Sequence, residues 1–296
     1  MRSLHLLLRL TFLLPARAAV LVGRVVDADG QPVPGLVVSG QGRRAQQPVA
    51  LTPVTTDDQG TFGLEYVREG EWGAYLRVVT QPDERGVAWF SGQAEGKVRL
   101  TLQPAREVTG RVADADGRPV AGVRLAFYYL HNPPGQPNRD FHLEADLDLP
   151  GWHTTTDAEG NWRLWLPDGV QVALLATHPD YANDGLELPA SGTTAKSLTL
   201  FPPARLAGRL LGVDGQPAGG VDLWLDGPTP GRDQVTTGPD GRFEWRGLQP
   251  GRYRVELPSW QWFPAVLPAS EVLLERGEDR GDLAATAAAE DFGALI

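Results

Sequence analysis

Apolar and polar residues alternate with a period of two along most of the chain, in short runs closed by Asp-Gly or Pro-Gly pairs. That pattern predicts half-buried antiparallel strands joined by tight turns. Counting from Gly35, Gly122 and Gly220 places Leu36, Val123 and Val221, then Val38, Leu125 and Leu223, on an inward face. Val37, Arg124 and Asp222 then point outward, and the two charges among them support the register. Counting from Gly60, Gly160 and Gly241 sends Phe62, Trp162 and Phe243, followed by Leu64, Leu164 and Trp245, into a core.

These segments belong to a unit that occurs three times. Val22-Gly23-Arg24-Val25-Val26-Asp27-Ala28-Asp29-Gly30-Gln31-Pro32-Val33 recurs from Thr109 to Val120 and again from Ala207 to Ala218. Thr55-Thr56-Asp57 with Gly60 and Phe62 is echoed by Thr155-Thr156-Asp157 with Gly160 and Trp162, and by Thr236-Thr237 with Gly241 and Phe243. The copies start 87 and 98 residues apart, a spacing too long for a small solenoid repeat and suited to whole β-sandwiches in series.

The Gly-Arg-Val opening strand, the Asp-Gly-x-Pro turn, the Thr-Thr-x-x-x-Gly turn and Pro250-Gly251-Arg252-Tyr253 resemble the carboxypeptidase regulatory-like domain family, relatives of transthyretin-like and collagen-adhesin B-type sandwiches. Gly73-Ala74-Tyr75 matches the last element, whereas Gly169-Val170-Gln171 lacks its Tyr. The resemblance spans most of residues 19–264. It implies an all-β chain of three tandem seven-stranded Greek-key sandwiches, serving exported proteins as structural or binding modules without catalytic residues.

Boundaries follow from the recurring exits. Lys97 to Leu102 before Pro104, and Lys196 to Leu200 before Pro202-Pro203, read as closing strands followed by stiff linkers. The expected sandwiches are residues 19–104, 105–203 and 204–288, with an acidic, Ala-rich tail over 289–296. Asp282 to Thr286 is the expected closing strand of the third. Residues 1–18 carry Arg2, a Leu-rich run and Ala16-Arg17-Ala18, a signal peptide whose cleavage starts the mature chain near Ala19. The destination is export to the periplasm, cell surface or medium. No later run of 18 apolar residues predicts a membrane span.

Composition narrows the function classes. Thirty-five Gly and 25 Pro among 296 residues, about a fifth of the chain against roughly 12% in average usage, favour turns over long helices. The absence of Cys removes disulfides, thiolate metal sites and Cys nucleophiles. Loss of the leader leaves 24 basic residues against 37 acidic ones, so nucleic acid is not an expected partner. Asp27-Ala28-Asp29-Gly30 and Asp114-Ala115-Asp116-Gly117 mimic calcium loops, but Val38 and Leu125 occupy the position of the bidentate acid, so hairpin turns are expected. No cofactor, metal or catalytic residue is assigned. Zinc spacings are missing, although His131, His142, Glu144, Asp146, Asp148 and His153 gather near one insertion.

That insertion, residues 131–151, is Pro-rich and long, the kind of segment that is functional or disordered. Trp152 at its end, with Tyr128 and Trp165 outward by strand phase, are the candidate ligand-binding residues, since planar aromatics stack on sugar rings. Tyr128 aligns with Gln41 and Asp226, and Trp165 with Glu65 and Arg246. Burial of Tyr128 and Trp165 beneath the insertion is the competing expectation. Trp224, Trp260 and Trp262 could equally pack a junction. The first reading is a non-enzymatic structural or interaction protein of the cell envelope, partnered by an envelope protein or polysaccharide. A carbohydrate-binding protein is the second, and a metal-dependent peptidase or peptidase accessory the third.

Overall fold

A computed structural model describes residues 17–44, 47–68, 75–93, 97–131, 141–192, 195–228, 233–257, 265–266, 270–286 and 288–289. The leader before Arg17, the tip of the insertion, Trp260 and Trp262 lie outside the described residues. The described elements are all strands.

Seven strands form the first repeat: β1 (Arg17–Val26), β2 (Val37–Arg44), β3 (Gln47–Thr55), β4 (Thr61–Arg68), β5 (Tyr75–Thr80), β6 (Trp89–Gln93) and β7 (Lys97–Thr101). They make a three-stranded sheet, β4-β1-β7, and a four-stranded sheet, β3-β2-β5-β6. The chain crosses between the sheets four times, after β1, β3, β4 and β6, so neither sheet is built from one contiguous segment. Along β4, Phe62, Leu64 and Tyr66 are buried while Gly63 and Glu65 are exposed, as the period-two pattern predicts. They meet Leu21, Val25, Leu36, Val38, Leu76, Val78 and Leu100 in one core.

The second repeat comprises β8 (Ala105–Asp114), β9 (Arg124–His131), β10 (Phe141–His142), β11 (His153–Thr155), β12 (Asn161–Pro167), β13 (Gln171–His178), β14 (Tyr181–Leu188) and β15 (Ala195–Leu200). Its small sheet is β12-β8-β15, and β9 pairs with β11 and β13, and β13 with β14. The third repeat comprises β16 (Ala204–Leu211), β17 (Asp222–Asp226), β18 (Asp233–Thr236), β19 (Arg242–Leu248), β20 (Gly251–Glu256), β22 (Ser270–Leu274) and β23 (Asp279–Thr286), with β21 (Ala265–Val266) and β24 (Ala288–Ala289) paired to each other. Its sheets, β19-β16-β23 and β18-β17-β20-β22, reproduce the first repeat strand for strand. β23 is thus the closing strand expected around Asp282.

The Gly of each Gly-Arg-Val or Gly-Arg-Leu motif has a packing cause. Gly23 lies opposite Phe62, and Gly208 opposite Phe243, in the antiparallel register. A Cβ on Gly23, Gly110 or Gly208 would collide with the ring of Phe62, Trp162 or Phe243 respectively. The bare backbone lets each aromatic lie across the opening strand and close the core. Gly60, Gly160 and Gly241 hold φ of +70°, +76° and +76°, and a Cβ there would strike the carbonyl of Val25, Val112 or Leu210.

The chain divides into two compact units. The first takes the described residues of Met1–Arg106 with His131–Trp152 and Trp165–Gly169, and the second takes Glu107–Leu130, His153–Leu164 and Val170–Ile296. In the second unit, Gln249 Nε2 donates to Asn183 O at 2.8 Å and to Asp184 Oδ1 at 2.5 Å, and the Arg276 guanidinium lies 4.4 Å from the centre of the Phe201 ring.

Candidate functional site

The polar residues that recur among the repeats are the first candidates for chemistry, and the geometry assigns them to bracing turns. Asp27 Oδ1 accepts the N–H groups of Asp29 and Gln31, and Asp114 Oδ1 those of Asp116 and Arg118. Asp57 and Asp157 do the same for the next turn, receiving Gln59 and Thr61 in one repeat and Glu159 and Asn161 in the other. One carboxylate oxygen thus satisfies two backbone donors that the tight turn leaves unpaired. In the third repeat Gly212 stands at the place of Asp27, and Asp214 Oδ1 accepts the Gln216 N–H instead. These are the hairpin turns expected from the Asp-Gly pairs.

The second Thr of each Thr-Thr pair makes a buried bridge. Thr56 Oγ1 accepts the Leu36 N–H at 2.9 Å and donates to Val33 O at 2.8 Å. Thr156 repeats this with Val123 and Val120, and Thr237 with Val221 and Ala218. The motif Arg is a second brace: Arg24, Arg111 and Arg209 each donate Nε–H to a turn carbonyl, of Gln59, Glu159 and Asp240. Sequence reasoning found the Thr and Arg positions without finding their roles. The signal was their threefold recurrence at fixed distance from the turn glycines.

A shallow groove recurs beside the motif glycine. Around Gly110 it measures about 850 Å³ and is lined by Thr109, Arg111, Thr155, Asn161, Trp162 and Lys196 among others. Around Gly208 it measures about 720 Å³, with Arg205, Arg209, Arg242 and Glu244, and a cleft of about 270 Å³ lies at Gly23 with Arg24, Lys97 and Arg99. Their common position makes them a by-product of the missing Cβ and the crossing aromatic ring. Several of their cations are already paired: Arg163 with Glu107 at 3.4 Å, Arg242 with Asp240 at 3.3 Å, and Arg205 with both Glu244 and Asp279 at 2.6 Å.

The insertion is the one departure from threefold likeness. Its described part belongs to the first unit, where Phe141, Leu143, Leu149 and Trp152 are buried. Trp152 is 2% exposed and donates Nε1–H to Thr80 O at 2.8 Å, and the Phe141 ring lies between Trp89 and Trp152 at centroid distances of 6.5 and 6.3 Å. The Glu144 N–H reaches Gln41 Oε1 at 3.0 Å, so Gln41, on the outward phase of its strand, is nevertheless 3% exposed because the insertion covers it. An indole enclosed on this scale presents no free face to a sugar ring, so Trp152 acts as a packing anchor. Trp165 is half-buried on β12 in the first unit, and Tyr128 is half-buried on β9 in the second.

Burial perturbs two titratable groups, one in each unit. His142 stands 3.7 Å from Glu144, and its pKa is lowered chiefly by burial; Glu144 opposes this and Arg77 adds to it. The Asp184 carboxyl is pushed up by burial, against the hydrogen bonds it receives from Gln249 and Gly185. Among the described residues, no group of three His, Asp or Glu side chains is disposed to hold a metal ion, and no helix is long and apolar enough to cross a membrane.

No family model matches the chain, and no curated protein does. Among solved structures, it is similar to the TIE protein of Bacillus anthracis, at 11% identity and a TM-score of 0.27 over 92% of this chain and 51% of that one. It is also similar to a streptococcal ancillary pilin, at 13% identity and 0.28 over 92% and 99%, and to the minor pilin GBS52 of Streptococcus agalactiae, at 14% and 0.29 over 62% and 96%. The chain spans about half the length of the TIE protein. Scores of this size assign neither a function nor a family, and the carboxypeptidase regulatory-like resemblance rests on the repeated motifs alone.

Proposed function

We propose that the chain is an exported, non-catalytic structural and interaction protein of the cell envelope, built from three carboxypeptidase regulatory-like sandwiches in series. The observation that carries this reading is the fate of the recurrent polar residues. Asp, Thr and Arg are the side chains a catalytic motif would repeat, yet here Asp bonds the backbone of its own turn, and Thr and Arg bond backbone groups of another turn in the same repeat. A motif whose recurrent Asp, Thr and Arg brace turns encodes a building unit, and three copies in one chain make a spacer or scaffold. Export rests on the leader. Cleavage after Ala18 would remove only the first two residues of β1 and keep its pairing with β4 from Ala19↔Tyr66 to Arg24↔Thr61.

The test combines fractionation with co-sedimentation. Expression of residues 1–296 should yield an envelope or extracellular protein beginning near Ala19 by N-terminal sequencing. That protein should pellet with envelope fragments, and protease treatment of the fragments should abolish the pelleting. Retention in the cytoplasm with an intact leader would overturn the export reading. Binding to purified polysaccharides that is lost in both Tyr128→Ala and Trp165→Ala, with folding intact by circular dichroism, would replace the scaffold by a carbohydrate-binding protein.

A further inference from the structure

We infer that each repeat is a tension-bearing element in which the ladder between its first and last strands carries load applied along the chain, an inference that rests on the structural reading above. The first strand of every repeat pairs parallel with the last: β1 with β7, β8 with β15 and β16 with β23. Two consequences follow from parallel pairing. The chain enters a repeat at one end of this ladder and leaves it at the other, so a pull on the two ends slides one strand lengthwise against its neighbour. All the hydrogen bonds of the ladder are then loaded together. In an antiparallel pair pulled from one end, they open one after another.

Among the described residues, the last strand is also a sheet edge in all three repeats, with the first strand as its one strand neighbour in the sheet. Among the described strands of that sheet no other pairing takes the load on the last strand, so the ladder must yield, together in the first repeat with the Val87–Gln103 backbone pair just beyond it. The side chains beneath it are sealed: Val25 and Leu100, Val112 and Leu200, Leu210 and Ala285 are all buried. Water therefore has poor access to the bonds from the core side, and bonds kept from water are stronger.

The ladders differ in a way that ranks them. The second runs without interruption from Thr109↔Ala195 to Asp114↔Leu200, and the first from Val22↔Lys97 to Val26↔Thr101, one pair fewer. The third runs from Arg205↔Asp279 to Leu211↔Thr286 but is broken by an irregularity between Leu206 and Gly208. Across that broken end lies a side-chain staple. Arg205 on β16 donates Nε–H to Glu244 on β19 and an NH1 hydrogen to Asp279 on β23, both at 2.6 Å, so one guanidinium ties all three strands of the sheet.

Single-molecule force spectroscopy tests this on the full chain, whose lack of Cys allows handles to be placed by thiol chemistry at chosen positions. With handles at the chain ends, three rupture events are expected, each releasing roughly 300 Å of chain for the 80 to 90 or so residues closed by a ladder. With handles at Arg246→Cys and Leu273→Cys, exposed positions on the two opposite sheets of the third repeat, that repeat should rupture at a clearly lower force. Arg205→Gln should lower one of the three end-to-end forces and leave the other two unchanged, with little change in thermal unfolding, because forced unfolding reads the barrier whereas an exposed ion pair adds little to equilibrium stability. Equal forces in the two pulling directions, or three forces indifferent to Arg205→Gln, would overturn the inference. Low forces together with intact envelope co-sedimentation would discard tension-bearing and leave the scaffold standing.

Discussion

Replacing Thr156 by Val changes one hydroxyl to a methyl at nearly constant volume, and so isolates the bridge that recurs in every repeat. Thr156 is 5% exposed, and its Oγ1 accepts from the Val123 N–H at 2.9 Å and donates to Val120 O at 2.8 Å. Both Val123 and Val120 are buried, so water cannot replace the hydroxyl. Two net hydrogen bonds at about 1 kcal/mol each, plus the cost of a buried N–H left without an acceptor, bring the expected loss to about 2–4 kcal/mol. For a sandwich near 100 residues that corresponds to a fall in melting temperature of roughly 10–25 °C. Thr156→Ser keeps the hydroxyl and loses only a methyl, costing about 1 kcal/mol. A chain with several repeats need not unfold in one step, so the readout is native-state hydrogen exchange at the Val123 amide alongside urea unfolding. Thr156→Val within about 0.5 kcal/mol of the parent, or Thr156→Ser as damaging as Thr156→Val, would refute the bridge as a source of stability.

Gly160→Ala should destabilise the second repeat by at least about 2 kcal/mol in urea unfolding, since the residue sits at φ +76° and the new methyl would meet the Val112 carbonyl. Trp152→Phe removes the donor to Thr80 O while keeping most of the packing, and should cost about 1–3 kcal/mol and speed proteolysis of the insertion. His142 favours its neutral form in the folded chain, so its contribution is present above the ordinary His range and is lost as pH falls through its lowered value. Proteolysis of the insertion should therefore quicken on acidification, and His142→Gln should flatten that response. Asp184 works in the opposite sense: with its pKa raised by burial, the second unit is favoured below the ordinary carboxylate value and loses that contribution as pH rises through the raised one, a slope that Asp184→Asn should remove from pH-dependent unfolding.

The three sandwiches were legible because their signals are local and repeated. Leu36, Val38, Phe62 and Leu64 are buried as the alternation requires, and the same holds for Val123, Leu125, Trp162 and Leu164 and for Val221, Leu223, Phe243 and Trp245. What alternation cannot say is whether an outward face stays open. Strand β2 makes the point: Val38 and Gly40 are buried on one side, and Ser39 and Gln41 on the other, so both faces of a strand that reads as amphipathic are closed. The cover for Gln41 comes from Glu144, more than a hundred positions away, and no period within β2 encodes it. Trp152 illustrates the same limit from the other partner. By composition it is an aromatic at the end of a long loop, which suits a ligand site; its indole N–H is paired with Thr80 only because the excursion returns to the first unit.

This difference between local and long-range information also accounts for where the repeats diverge. Positions that close a turn or cross an opening strand are constrained within one repeat, so the copies keep Gly60, Gly160 and Gly241 and an aromatic ring two residues later. The outer face of the larger sheet carries no such constraint, and there the first repeat offers Gln41, the second Tyr128 and the third Asp226 at one register position. The side chain at that position can be matched to a neighbour without disturbing the core, as Gln41 is matched to the Glu144 amide. Such faces are where an array of alike units acquires individual contacts, and the half-buried Tyr128 occupies the corresponding place in the second repeat.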